Sequence, residues 1–171
     1  SGKSDVKTGI GFLDHMLDLL TFHSLFDLNL NCKGDLEIDS HHTTEDIALA
    51  LGSALDEAVG EKKGIVRYGL SYVPMDEALI RVALDLSGRP ELVFSGEFLH
   101  ASLGNLDTQL IRHFFKSMAM SSKMTLHMSI LYGTNDHHKC EGLFKALGRA
   151  LRHAVEIDPR RIGVASTKGS L

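Results

Sequence analysis

Phe12, Leu13, Met16, Leu17 and Leu20 recur at the three-to-four spacing of one helix face and predict a helix over 12–23. Leu28, Leu30 and Cys32 then alternate with Asn29, Asn31 and Lys33, the period of a half-exposed strand, and Gly34-Asp35 turns the chain. Beyond Asp39 the helical period returns at Ile47, Leu51, Leu55, Ala58 and Val59, with Gly60 as its stop. From Ile65 to Glu97 the period is two, and three strands are predicted over 67–73, 78–86 and 91–95. Gly88-Arg89-Pro90 breaks the second from the third. Asn105 stands as the expected cap of a helix carrying Leu106, Leu110, Ile111, Phe114, Phe115 and Met118. Met124, Leu126, Met128 and Ile130 alternate in a further strand. A last helix is predicted to about Glu156, where Asp158-Pro159 stops it.

The order helix, strand, polar cluster, helix therefore occurs twice. His41-His42-Thr43-Thr44-Glu45 opens one late helix, and His137-His138-Lys139-Cys140-Glu141 opens the other, ninety-six positions on. Ala50-Leu51-Gly52 with Ala54-Leu55 recurs as Ala146-Leu147-Gly148 with Ala150-Leu151. A shift of ninety-eight lays His15 on His113 and Leu28-Asn29-Leu30 on Leu126-His127-Met128. Repetition of a whole unit predicts an α+β protein of two related halves, residues 1–63 and 64–171, forming one compact body. The second half carries some forty residues of strand ahead of its helices and the first almost none, so further strands are expected before Ser1.

Composition narrows the classes. With 171 residues and 43% hydrophobic content the chain can bury a core. Its formal charge of −4, with Lys and Arg dispersed, argues against a nucleic-acid partner. No apolar run reaches membrane-spanning length, so no membrane partner is expected. Cys32 and Cys140 form no CxxC pair, which fits a reducing cytoplasm.

Ten histidines are the informative excess. Residues four apart share a helix face, so His41 with Glu45, and His137 with Glu141, can each grip one ion. His42 and His138 point about 100° away and suit a second nearby ion. With His15 and His113 there are eight donors, four for each of two ions, leaving room for water or substrate on a six-coordinate metal. Six imidazoles and two carboxylates favour Mn, Fe, Ni or Zn. The order HHxxE is not the HExxH of zinc proteases. His23 is either a helix-dipole partner or a substrate contact, whereas His100, His127 and His153 read as exposed or capping residues. Arg67, Arg89, Lys145 and the Ser166-Thr167-Lys168-Gly169 segment would suit a phosphate group. Singly, each is more often a solvated surface group than a ligand.

At these residues the chain resembles imidazoleglycerol-phosphate dehydratases. The resemblance rests on Gly9-Ile10-Gly11-Phe12-Leu13-Asp14-His15-Met16, on Asp39-x-His41-His42-x-x-Glu45-Asp46, on Asn135-x-His137-His138-x-x-Glu141 with Phe144-Lys145-Ala146, and on the Ser166-Thr167-Lys168-Gly169 tail. It spans the chain from Ser1 to Leu171. It implies a lyase of histidine biosynthesis that dehydrates D-erythro-imidazole glycerol phosphate to imidazole acetol phosphate. It further implies four helices sandwiched between two mixed β-sheets, with ribosomal-protein-S5-domain-2-like halves. Two Mn2+ per subunit would bind the substrate imidazole within a homo-oligomer of 24 subunits built from trimers. The implied metal ligands are His15, His41, His42, Glu45, His113, His137, His138 and Glu141. The implied substrate contacts are His15, His23, Arg67, Arg89, Lys145, Ser166 and Lys168, and Glu45 and Glu141 are the candidates for catalytic proton transfer. Three features depart from the family pattern: a Thr-x-Glu-Thr motif would lie before Ser1, Leu19 stands where glutamine is common, and Ala165 where proline is usual.

Overall fold

The computed structural model describes residues 1–169. Its order is β1 (Ser4–Lys7), α1 (Gly11–Ser24), β2 (Leu28–Asn31), α2 (His41–Val59), β3 (Tyr68–Met75), β4 (Ala78–Asp85) and β5 (Glu91–Ser95). A hairpin of β6 (Ser102–Leu103) and β7 (Leu106–Asp107) follows, then α3 (Thr108–Ser121), β8 (Thr125–Tyr132) and α4 (Asp136–Ala154). The expected α+β architecture of four helices with mixed sheet is the one observed. No described helix is long and apolar enough to cross a membrane.

The larger sheet runs β3-β4-β8-β5, antiparallel except for the β5·β8 pair. The smaller is the parallel pair β1·β2. The repeat is visible in these pairings, because β1–α1–β2–α2 answers β5–α3–β8–α4. The β3–β4 hairpin has no counterpart among the described residues. Inward positions of β4 and β8 (Ile80, Val82, Leu126 and Met128) are buried against the helices, where Phe114, Phe115 and Phe144 stack near the centre.

Four local expectations need correction. Asn105 does not cap α3: it sits at the β6–β7 turn, where its Oδ1 accepts from Phe12 N–H (3.4 Å). The cap is Asp107, whose carboxylate accepts from Gln109 N–H at 2.9 Å, and Leu106 belongs to β7. Arg67 lies just outside β3 because its φ of 78° is left-handed, incompatible with a pleated strand. β3 runs on to Met75 through Pro74, which an edge strand tolerates. α4 stops at Ala154, before Glu156. β1 gave no periodic signal, since Val6 is its only apolar residue.

The helices pack across the halves. α1 lies on α4 and α2 on α3. The equivalent glycines make both approaches possible. A Cβ on Gly148 would stand 2.7 Å from Leu20 O and 3.0 Å from Ser24 N of α1. A Cβ on Gly52 would stand 2.5 Å from Met118 O and 2.9 Å from Ser122 N at the end of α3. The contacted residues are themselves related by the ninety-eight-residue shift. Each late helix therefore carries its histidines to the early helix of the other half.

Candidate metal centre

α4 begins where Asn135 Oδ1 accepts from His137 N–H (2.9 Å) and His138 N–H (3.4 Å). α2 begins with Asp39 Oδ1 accepting from His41 N–H at 2.7 Å. Asn135 caps α4, whereas Asp39 precedes Ser40, the N-cap of α2; both bonds satisfy first-turn N–H groups and fix where the paired imidazoles start. Thr8 holds the start of α1, its N–H donating to Asp14 Oδ1 at 3.0 Å, one residue before His15.

Two groups of three donors result. His15, His137 and Glu141 form one; His41, Glu45 and His113 form the other; within each, the donor atoms lie within 4.8 Å of one another. His137 Nε2 is 2.9 Å and His15 Nε2 3.2 Å from Glu141 Oε1. His41 Nε2 stands 3.8 Å from Glu45 Oε2, and His113 Nε2 3.4 Å from Glu45 Oε1. That His113 nitrogen is buried and has no hydrogen-bond partner among the described residues. A buried, unpaired imidazole nitrogen facing a carboxylate costs free energy that a shared cation would recover. Two imidazoles and one carboxylate in each group fit a borderline divalent ion.

The electrostatics differ between the groups. Burial pushes Glu141 up, but bonds from Lys145, His15 and His137 outweigh it and bring its carboxyl down to about 2. Lys145 Nζ donates to Glu141 Oε2 and lies 3.4 Å from Met75 Sδ. Among the described residues Glu45 pairs with His41 and His113 and with no lysine, and it is over one-third exposed. Burial and then the charges of Lys145 and Arg149 lower His23, whose Cβ lies against Gly148 on α4.

His42 and His138 stand outside both groups. His42 Nδ1 is 2.9 Å from Asp35 Oδ2, and His138 Nδ1 is 2.7 Å from Glu77 Oε2. These ion pairs raise both imidazoles, and the His138 contact is the largest cause holding Glu77 at about 2. Nothing in the sequence marks Asp35 or Glu77, because each meets its histidine only through a loop.

The phosphate-type residues collect elsewhere. Arg67 is buried and clamps Asp85 through Nε (2.6 Å) and Nη2 (2.8 Å), while Nη1 donates to Ala165 O at 2.7 Å. That contact brings Ser166 and Lys168 to the same end of the sheet; Lys168 N–H donates to Ser166 Oγ at 3.2 Å. Arg89 precedes β5, whose first residue Glu91 pairs with Thr125 at the start of β8. His137 lies beyond the other end of β8. Seven steps at roughly 3.3 Å make that strand roughly 23 Å long. Within one chain, Arg67, Arg89, Ser166 and Lys168 are thus remote from His137; among the described residues Lys145 contacts a cluster, and His23 faces the same helix at Gly148. His100, His127 and His153 are exposed, as expected, and His100 Nδ1 is 2.9 Å from Asp136 Oδ2. An apolar groove of about 530 Å³ along Leu20, Leu51, Leu55 and Met118 contains none of these residues.

A model of the imidazoleglycerol-phosphate dehydratase family matches residues 8–151. The imidazoleglycerol-phosphate dehydratase of Acetivibrio thermocellus is 57% identical over 171 residues, covering 100% of this chain and 88% of the relative. That of Bacillus subtilis is 55% identical over 170 residues, 99% of this chain and 88% of its own length. The crystal structure of the Staphylococcus aureus dehydratase superposes with a TM-score of 0.86 at 44% identity, covering 91% of this chain and 89% of that one. The Pyrococcus furiosus enzyme, solved in complex with (S)-C348, gives 0.84 at 34% identity over 99% of this chain and 91% of that one.

Proposed function

Because this chain belongs to the imidazoleglycerol-phosphate dehydratase family, we propose that its two donor groups each hold Mn2+ against the imidazole of imidazole glycerol phosphate. The chain is a carbon–oxygen hydro-lyase of histidine biosynthesis. In this reading it converts the D-erythro substrate to imidazole acetol phosphate. A hydroxyl leaves one carbon, a proton leaves its neighbour, and the resulting enol becomes the ketone.

The observation that carries the metal reading is the buried, unpaired His113 Nε2 facing Glu45. When bound, a divalent ion at each group would supply Lewis acidity that stabilises an anionic substrate imidazole. His15, His41, His113 and His137 hold it with Glu45 and Glu141. Glu141 stays ionised beside Lys145 and reads primarily as a ligand that can also share in proton transfer. Glu45, more exposed and free of a lysine, is the better placed of the two to accept a proton.

Three donors per group leave the set of four incomplete inside one chain, and His42 and His138 point away from it. They would serve ions shared with neighbouring copies. The same holds for the phosphate. Arg89, with Arg67, Ser166 and Lys168, would clamp it from an adjacent subunit, while Lys145 and His23 approach from the metal side. That division favours an obligate homo-oligomer, in line with the 24-subunit, trimer-based assembly implied by the resemblance. The halves 1–63 and 64–171 would then be related units joined by their crossed helices, in a cytoplasmic enzyme.

Incubating the purified chain with Mn2+ and imidazole glycerol phosphate tests the reading. Imidazole acetol phosphate should form without release of inorganic phosphate, and elemental analysis should find close to two Mn per chain. Release of inorganic phosphate would instead mark a hydrolase.

A further inference from the structure

We propose that Glu77 and Asp35 are positioning residues that fix the tautomers of His138 and His42, so that each presents a bare Nε2 to a metal ion. This inference rests on the metal reading above and names what makes the two outlying histidines competent ligands.

The contacts are alike, with Glu77 Oε2 at 2.7 Å from His138 Nδ1 and Asp35 Oδ2 at 2.9 Å from His42 Nδ1. An ionised carboxylate only accepts, so Nδ1 must carry the proton. A neutral imidazole then has its lone pair on Nε2, the form in which it binds metal. Among the described residues no hydrogen bond reaches Nε2 of either ring. The nearest carboxylate oxygen, on Asp76, is 3.7 Å from His138 Nε2, beyond hydrogen-bond range.

Inheritance through the repeat does not account for the match. His42 and His138 are equivalent by the ninety-six-residue offset, but their carboxylates are not. Asp35 lies in the loop between β2 and α2, whereas Glu77 lies in the β3–β4 turn, which has no counterpart in the described first half. The same contact is built twice from unrelated backbone, at the two imidazoles that the helix faces leave outside the donor groups. An orienting requirement common to both rings explains this; descent of the loops does not.

Glu77 is itself held rigidly. Its Oε1 accepts from Thr134 N–H (3.0 Å) and Asn135 N–H (2.7 Å), the residues that lead into and cap α4. One oxygen thus anchors the turn to the start of the helix while the other orients the ring two residues into it. Carboxylates behind metal-binding histidines typically account for 10- to 100-fold in metal affinity.

Glu77→Gln separates the two roles. The amide oxygen can still accept from Thr134 and Asn135, but the amide nitrogen then faces Nδ1, which must accept, and the ring proton moves to Nε2. Mn2+ titration of the assembled chain, followed by electron paramagnetic resonance, should show one of the two sites weakened roughly 10- to 100-fold with the melting temperature unchanged. Asp35→Asn should weaken the other site alike, and Asp35→Glu should retain wild-type affinity. Asp35 makes no bond to the α4 cap, so its pair of variants carries the test if Glu77→Gln loses stability. Wild-type protein that binds no divalent ion would overturn the metal reading and this inference with it. Two wild-type sites whose affinities survive both Glu77→Gln and Asp35→Asn would overturn this inference alone.

Discussion

His15 Nε2 lies 3.2 Å from Glu141 Oε1, although 126 positions separate the two residues. The first is on α1 of one half and the second on α4 of the other. His113 and Glu45 repeat the relationship in reverse, 3.4 Å apart, with the early helix now in the second half. Neither contact could form if the late helices were held a methyl group further from their partners, which makes Gly52 and Gly148 the residues on which the crossing depends.

Gly148→Ala is expected to destabilise the chain by about 1–3 kcal/mol, because its Cβ meets the backbone of Leu20 and Ser24. Helix propensity alone favours alanine by about 1 kcal/mol, so a net loss isolates the packing cost. Chemical denaturation measures the loss. Mn2+ affinity at the His15 group should fall in parallel, while Gly52→Ala should act on the His113 group.

Dialysis against a chelator should abolish dehydration, and Mn2+ should restore it. If His42 and His138 join ions on neighbouring copies, sedimentation velocity of the stripped protein should show smaller oligomers with each subunit still folded. An unchanged particle after verified metal removal would mean that apolar contacts alone hold the assembly.

Arg89→Ala should raise KM and depress kcat together, because a phosphate clamp positions the reacting carbons. Loss of one charge-assisted contact of about 1.5–3 kcal/mol corresponds to a fall in kcat/KM of roughly 10- to 150-fold. Arg89→Ala and Glu141→Gln chains, each impaired alone, should gain activity above either parent when dissociated and reassembled together, since some mixed sites then hold both native residues. Failure to gain it would place clamp and metal on one chain.

Asp136 and Lys139 form a buried pair at 2.7 Å in the first turn of α4, and Asp136 also accepts from the backbone of Leu99 and His100. Asp136→Ala leaves the ammonium buried without a counter-charge, bonded only to Glu97 O, and should cost about 3–5 kcal/mol, whereas Asp136→Leu with Lys139→Met should cost less. Urea midpoints of the single and double variants distinguish these outcomes.

Much of this was legible along the chain. The periods at Phe12–Leu20, Ala78–Leu86 and Ile47–Val59 marked real elements, because each face there buries against a neighbour and must repeat with the backbone. His41 with Glu45, and His137 with Glu141, could be paired from spacing alone, since four residues make one helical turn. The cap of α3 is not legible along the chain, because Asn105 and Asp107 are both cap-type residues. Only the β6–β7 hairpin, a pairing between two-residue strands in which Leu103 faces Leu106, selects the later one.

The repeated ligand types, the two-half plan and the resemblance to a family of dehydratases are properties of residue identity and order, so the linear chain carries them in full. Which early histidine meets which late glutamate is not, because the repeat alone would join each to its own half as readily as to the other. That choice falls to close helix packing, in which Gly52 and Gly148 admit the backbone of the opposite half. The separation of Arg67 and Arg89 from His137 is likewise a matter of sheet length and strand direction. So is the meeting of Asp35 with His42 and of Glu77 with His138, since loops have no period and their contacts exist only once the elements around them have packed.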